Sequence, residues 1–236
     1  MDKFIRYCPF YKASIILQNK KSTMEHTMKS WQIDAIGIDN LELRNVAVPK
    51  PQKGEILVKV AAISLNYRDK MVIETGRGLE LSFPFSPGSD LSGTVIEVGE
   101  GANHFNVGDK VITTASPDWI DGLRPGNAKF PFYRTLGGYY SGVMSEYVAF
   151  SEDWFVRAPV SLDPTEASTL PIAGLTAWFA LSERAHLRAG DTVLIPSTGG
   201  VALFGLLIAK AQGAETIVVG HSENAERVKA LGATYF

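Results

Sequence analysis

Cysteine is nearly absent: Cys8 is the only one in 236 residues. A single thiol excludes an internal disulfide and any multi-cysteine zinc site. It fits a reducing compartment, and a cytoplasmic location is expected. Histidine is sparse as well. His26, His104, His186 and His221 lack the spacing of a ligand cluster. Charge of one sign is missing, since 23 Lys plus Arg face 25 Asp plus Glu, a net −2. This balance excludes a general electrostatic pull toward nucleic acid or an anionic membrane. Long apolar runs are missing too. The uncharged stretch Thr192–Ala209 is broken by Pro196, Ser197, Thr198, Gly199 and Gly200, which argues against a membrane helix.

What is present reads as a globular protein. Hydrophobic residues make up 45% and charged residues 20%, too apolar for bulk disorder. The 22 glycines and 12 prolines imply many turns. Residues 1–27 differ from the rest: Lys3, Arg6, Lys12, Lys20 and Lys21 outnumber Asp2 and Glu25. Their one aliphatic cluster, Ile15-Ile16-Leu17, is too short for a signal-peptide core. They read as a disordered extension, with the folded part beginning near Met28.

From Trp31 to about Tyr147 the signals are strands and turns. Ile56–Ile63 is a long β-rich run entered through Lys53-Gly54-Glu55. Thr94–Val98 lies between Gly93 and Gly99, and Lys110–Thr114 follows the turn Gly108-Asp109. Tyr147–Phe150 follows a loop containing Gly137, Gly138 and Gly142. Short strands with regular turns predict a compact barrel or sandwich.

The character changes near Asp163. Asp163-Pro164-Thr165-Glu166 carries an N-cap, a proline at the first helical position and a glutamate reaching back from the third. Helices are predicted over 164–170 and 172–186, then a strand over Asp191–Ile195 and a helix over 201–212. Thr216–Val219 reads as the next strand. Ser222 is placed to cap a helix that runs through Leu231 and stops at Gly232. Alternating strands and helices predict a parallel βαβ unit. The helical run Leu203–Ala209 is apolar on every side, which predicts full burial.

Ser197-Thr198-Gly199-Gly200-Val201-Ala202 lies between the predicted strand and helix. In a dinucleotide fold such a turn lets backbone N–H groups approach a pyrophosphate seated on the positive helix end. Gly199 allows that approach, and Ala202 stands where Gly or Ala permits tight helix–strand packing. Ser197 replaces the usual first glycine, so a purely structural turn is the other reading. The second strand ends at Val219-Gly220-His221-Ser222 without a carboxylate at its tip. A carboxylate there would repel a 2′-phosphate, whereas His221 and Ser222 can donate hydrogen bonds to one. The tip therefore favours NADP(H) over NAD(H).

Together these pieces resemble the medium-chain dehydrogenase/reductase superfamily, and within it the zinc-independent, quinone-oxidoreductase-like or alcohol-dehydrogenase-like members. The resemblance runs through Ser64–Asp69, Pro87–Asp90, Gly93–Gly99, Val107–Val111, Ser145–Val148, Ala167–Trp178 and the 197–202 turn. It implies a mixed α and β fold: a GroES-like β-barrel catalytic domain over 28–160, then the first part of a Rossmann nucleotide-binding domain over 161–236. Substrate and nicotinamide would occupy the cleft between them. Zinc members place Cys, His and Cys at positions that match Asn66, Ser89 and Ile172 here, so no catalytic metal is expected. Hydrogen-bond donors would then polarise a carbonyl or enone oxygen. The resemblance assigns Tyr67 as first donor, Asn66 to the substrate or nicotinamide side, and Thr176 to the nicotinamide. Each has a structural alternative: Tyr67 as pocket lining, Asn66 as a helix cap, Thr176 as packing. Asp69 is expected to anchor local backbone.

Only two nucleotide-domain strands appear before Phe236, where a doubly wound domain has about six. The resemblance thus predicts an incomplete Rossmann part with apolar faces open to water. Two functions follow. One is an oxidoreductase acting with NAD(P)H on a carbonyl, quinone or activated alkene, a small-molecule enzyme for which a homodimer is implied by resemblance. The other is a catalytically incomplete binding or interaction protein.

Overall fold

The computed structural model describes residues 27–114, 116–122 and 134–236. The expected extension over 1–27 lies outside them except for Thr27, which already belongs to the first strand. The strands β1 (Thr27–Gln32) and β2 (Glu42–Ala47) form an antiparallel ribbon. β3 (Glu55–Ser64) follows, then the helix α1 (Tyr67–Thr75) and β4 (Asp90–Val98). β5 (Lys110–Thr113), β6 (Tyr147–Ser151) and β7 (Phe155–Arg157) complete a five-stranded antiparallel sheet in the order β6-β3-β4-β5-β7.

The two edge strands, β6 and β7, are consecutive in sequence. Only the turn Glu152–Trp154 joins them, so the end of one edge strand lies next to the start of the other and the sheet bends around one shared core. That core collects Ile56, Val58, Val60, Leu91, Val95 and Val111, with Val148 and Phe155 from the edges. The turn-rich first half predicts a barrel or sandwich of short strands, and a bent five-stranded antiparallel sheet around one core is what forms. The Gly137–Gly142 loop finds its reason here. A Cβ on Gly137 or Gly142 would collide with the backbone of Gly88, so bare backbone is required where this loop crosses Pro87-Gly88. The crossing fixes the chain just before Ser89 and Asp90.

Beyond the barrel, α2 (Pro164–Ala167) opens with the predicted capping box: the Glu166 N–H donates to the Asp163 carboxylate, and Asp163 N–H donates to Glu166. The two predicted helices are in fact one winding segment. A wide π-type turn, Leu170–Gly174, leads into α3 (Leu175–Trp178), and a second, Phe179–Arg184, ends it. Pro171 has no N–H to give the helix ladder, and the Ile172 N–H points outside it, to Asp90. The wider winding of this segment follows from those two missing bonds.

The parallel unit is as predicted: β8 (Thr192–Ile195), α4 (Gly200–Ala211), β9 (Glu215–Val218) and α5 (Ala225–Ala230). Ile195, Leu206, Val218 and Val228 form its core. A parallel bridge from Ile217 to Tyr235 begins a third position in the sheet. Two expectations are corrected. Ser222 does not cap α5: it opens a tight turn, Ser222–Asn224, closed by the Asn224 N–H on the His221 carbonyl, and α5 starts only at Ala225. Nor is α4 wholly buried. Leu206 and Ala209 face the sheet, while Val201 and Leu207 stand in the open. The opposite face of the sheet, with Leu194, Ile217 and Val219, is also exposed. Among the described residues no helix is long and apolar enough to cross a membrane.

Candidate functional site

The candidate residues fall in two clusters, and the Leu170–Trp178 segment touches both. The first gathers at the mouth of the barrel. Asn66 precedes α1 in extended backbone, and its N–H donates to the Asp69 carboxylate at 2.8 Å. Asp69 thus anchors local backbone, as expected, and is buried. Asn66 is also the N-cap of α1, where it and Asp69 form a capping box, and its side-chain N–H donates to the Ser89 hydroxyl at 3.5 Å. Ser89 donates in turn to Asp90 Oδ1 at 2.8 Å, and the Ile172 N–H donates to Asp90 Oδ2 at 3.0 Å. Three positions far apart in sequence, Asn66, Ser89 and Ile172, therefore converge on one buried carboxylate.

The electrostatics of this corner are those of charge held away from water. Burial pushes the Asp69 carboxyl up to about 6, against the opposing pull of the Asn66 N–H and of Arg68, while Asp90 pushes it further up. Burial also raises the Asp90 carboxyl, opposed by the neighbouring Asn66 amide and by its hydrogen bonds from Ser89 and Ile172. Arg68 is itself largely buried, donating to the Leu136 carbonyl at 3.0 Å and to Thr135 Oγ1 at 2.6 Å. Its guanidinium lies 3.8 Å from Asp69 Oδ1.

This donor set does not fit zinc. Ile172 offers no side-chain ligand and its amide is committed to Asp90; an amide and a hydroxyl are poor zinc ligands.

The second cluster is the 197–202 turn. Gly199 is the N-cap of α4 in extended backbone, with no side chain capping the helix start. A Cβ at Gly199 would meet nothing within 4 Å, so the side-chain position beside the helix start is open. Free first-turn amides at a helix N-terminus, with the helix dipole behind them, are the arrangement that can receive an anion. Ala202 packs half-buried against the β8–β9 core. Asn224 donates to Thr198 Oγ1 at 3.2 Å, tying the turn to the loop after β9. His221 and Ser222 lie exposed in that loop.

The Leu170–Trp178 segment joins the clusters. The position of a Cβ on Gly200 lies 3.9 Å from Ala173 Cβ, and one on Gly174 would lie 3.6 Å from the Phe204 ring of α4. Thr176 sits exposed one turn beyond Ile172. Tyr67 is 76% exposed at the first residue of α1. A groove of about 610 Å³ also opens between β5, β7 and α4, walled by Thr114, Val156, Leu170, Trp178, Phe204 and Ile208. Its walls come from residues other than Asn66, Tyr67 and Thr176. Sequence reasoning gave no role to Asp90 or Arg68. The only signal for Asp90 was a carboxylate directly after Ser89 at the start of a strand, and its burial shows only in the fold.

A curled antiparallel barrel followed by a parallel βαβ unit, with a glycine turn at the crossover, defines an alcohol-dehydrogenase-type architecture. Comparison with known proteins agrees. Residues 52–160 match the alcohol dehydrogenase GroES-like domain. A zinc-type alcohol dehydrogenase-like protein of Schizosaccharomyces pombe is 38% identical over 203 residues, 84% of this chain and 58% of that protein. A chloroplastic quinone oxidoreductase of Triphysaria versicolor is 32% identical over 217 residues, 87% of this chain and 59% of that protein. A crystal structure of a provisionally named alcohol dehydrogenase from Sinorhizobium meliloti superposes with a TM-score of 0.88 at 55% identity, covering 90% of this chain and 63% of that one. The chain belongs to the medium-chain dehydrogenase/reductase superfamily. It spans a little under three fifths of the length of these curated relatives.

Proposed function

We propose that this chain serves a zinc-independent oxidoreductase using NADP(H) on a carbonyl, a quinone or an activated alkene. One observation carries the reading: the uncapped start of α4 behind open space at Gly199. The backbone N–H groups of Gly200, Val201 and Ala202 would hold the diphosphate there, with Ser197 and Thr198 shaping the turn. His221 and Ser222 would donate to the adenosine 2′-phosphate, since no carboxylate stands at that tip. When bound, the nicotinamide supplies or accepts the hydride. Thr176 would contact it from α3. Asn66 and Tyr67 would orient the substrate oxygen and stabilise the charge developing on it by hydrogen bonds. Domain limits of 28–160 and 161–236, a homodimer and a cytoplasmic location belong to the same reading.

A second reading rests on the exposed Leu194, Ile217 and Val219 face: a non-enzymatic binding protein. Titration with NADPH separates the two. Saturable binding followed by nucleotide oxidation with a quinone or aldehyde supports the enzyme. Binding should weaken at least about tenfold in Gly199→Glu, whose carboxylate would repel the diphosphate. Wild-type protein that neither binds nor oxidises NADPH would refute the enzymatic reading.

A further inference from the structure

We propose that Asp90 is a positioning residue: its buried carboxylate ties the Asn66 loop and the Leu170–Gly174 turn together and thereby sets the distance between substrate and nucleotide seats. The inference rests on the functional reading above for its consequence, but the tie itself stands on geometry.

Asp90 is 1% exposed at the first residue of β4. One oxygen accepts from Ser89, which accepts in turn from the Asn66 amide; the other accepts the Ile172 N–H, 82 residues away. The strand end bearing this carboxylate is itself held. Thr113 Oγ1 accepts the Leu91 N–H at 3.2 Å and donates to the Ser89 carbonyl at 2.9 Å. Ile172 is followed at once by Ala173, which lies beside Gly200 at the head of α4. Moving the Ile172 amide therefore moves the wall of the nucleotide turn relative to Asn66. A buried carboxylate left without donors is costly, so the three segments are drawn onto it rather than merely placed near it. Asp90 need not touch substrate. It acts through Asn66 on one side and through the Ile172–Ala173 backbone on the other.

The test uses the full chain with Asp90→Asn and the exchange Asn66→Asp/Asp90→Asn. An amide at 90 can still accept from Ile172, but it can no longer accept from both sides. The exchange reverses donor and acceptor and restores the pairing. Amide hydrogen exchange at Ile172 should accelerate at least about tenfold in Asp90→Asn and return toward wild type in the exchange variant. NADPH affinity should stay within about threefold of wild type, because the 197–202 turn is unchanged, while kcat with a quinone falls about a hundredfold. Unchanged Ile172 exchange in Asp90→Asn, or an exchange variant that protects Ile172 no better than the single one, overturns the tie. Accelerated exchange with kcat unaltered overturns its positioning consequence. Wild-type protein without NADPH binding would sink the oxidoreductase reading instead, and the exchange data would still decide the tie.

Discussion

Asp69 gives the sharpest prediction about the stability of this fold. Its carboxyl is raised from 3.8 to about 6, mainly by burial. Arg68 and the Asn66 N–H favour the charged form and Asp90 opposes it, and burial outweighs the two favourable groups. Between these two values the native state keeps a proton that the unfolded chain releases. The stability this group contributes is therefore complete below pH 3.8 and is lost as pH rises through about 6. The shift from 3.8 to about 6 corresponds to about 3 kcal/mol. Asp69→Asn removes the titration while keeping an oxygen that can accept the Asn66 N–H. Urea unfolding, followed by tryptophan fluorescence from about pH 4 to about pH 7, should show the variant gaining about 2 kcal/mol on wild type across the range. Carboxylates remote from Asp69 cancel in that difference, and the coupled Asp90 contributes to it with the same burial cause. A difference that is flat with pH, or that shrinks as pH rises, would refute burial as the dominant influence on Asp69.

Two further outcomes follow from the nucleotide half. Gly220→Ala would place a Cβ 2.6 Å from Thr198 Cγ2 and 3.5 Å from the Phe236 ring, so it should cost about 1–3 kcal/mol in chemical denaturation. An unchanged midpoint would mean that the turn shifts freely. The double variant His221→Ala/Ser222→Ala should weaken NADPH binding several-fold and leave NADH binding nearly unaltered, read by isothermal titration of both nucleotides. Equal losses for both would remove the 2′-phosphate assignment.

The local features of this chain were legible without a structure because short-range chemistry writes them. The Asp163–Glu166 capping box, the 200–211 helix and the parallel pairing of 192–195 with 215–218 depend on cap residues, β-branched runs and glycine turns a few positions apart. The helix signals failed where a backbone bond left its own segment. Ile172 gave its N–H to Asp90, and the segment widened; Asn224 closed a tight turn on His221, and Ser222 lost its capping role. Uniform apolarity did not predict the burial of α4, since burial depends on what lies opposite each face, and nothing among the described residues covers Val201 or Leu207.

By itself, then, the sequence determined the succession of a strand-and-turn half and a strand–helix half and the crossover turn between them, readable from residue type and short spacing. Only the tertiary structure decided that Asn66, Ser89 and Ile172 meet around Asp90, and that Asp69 lies buried enough to hold a proton near pH 6. The reason is physical: desolvation and long-range hydrogen bonding depend on which segments exclude water together, and those segments lie up to 106 positions apart along the chain, from 66 to 172.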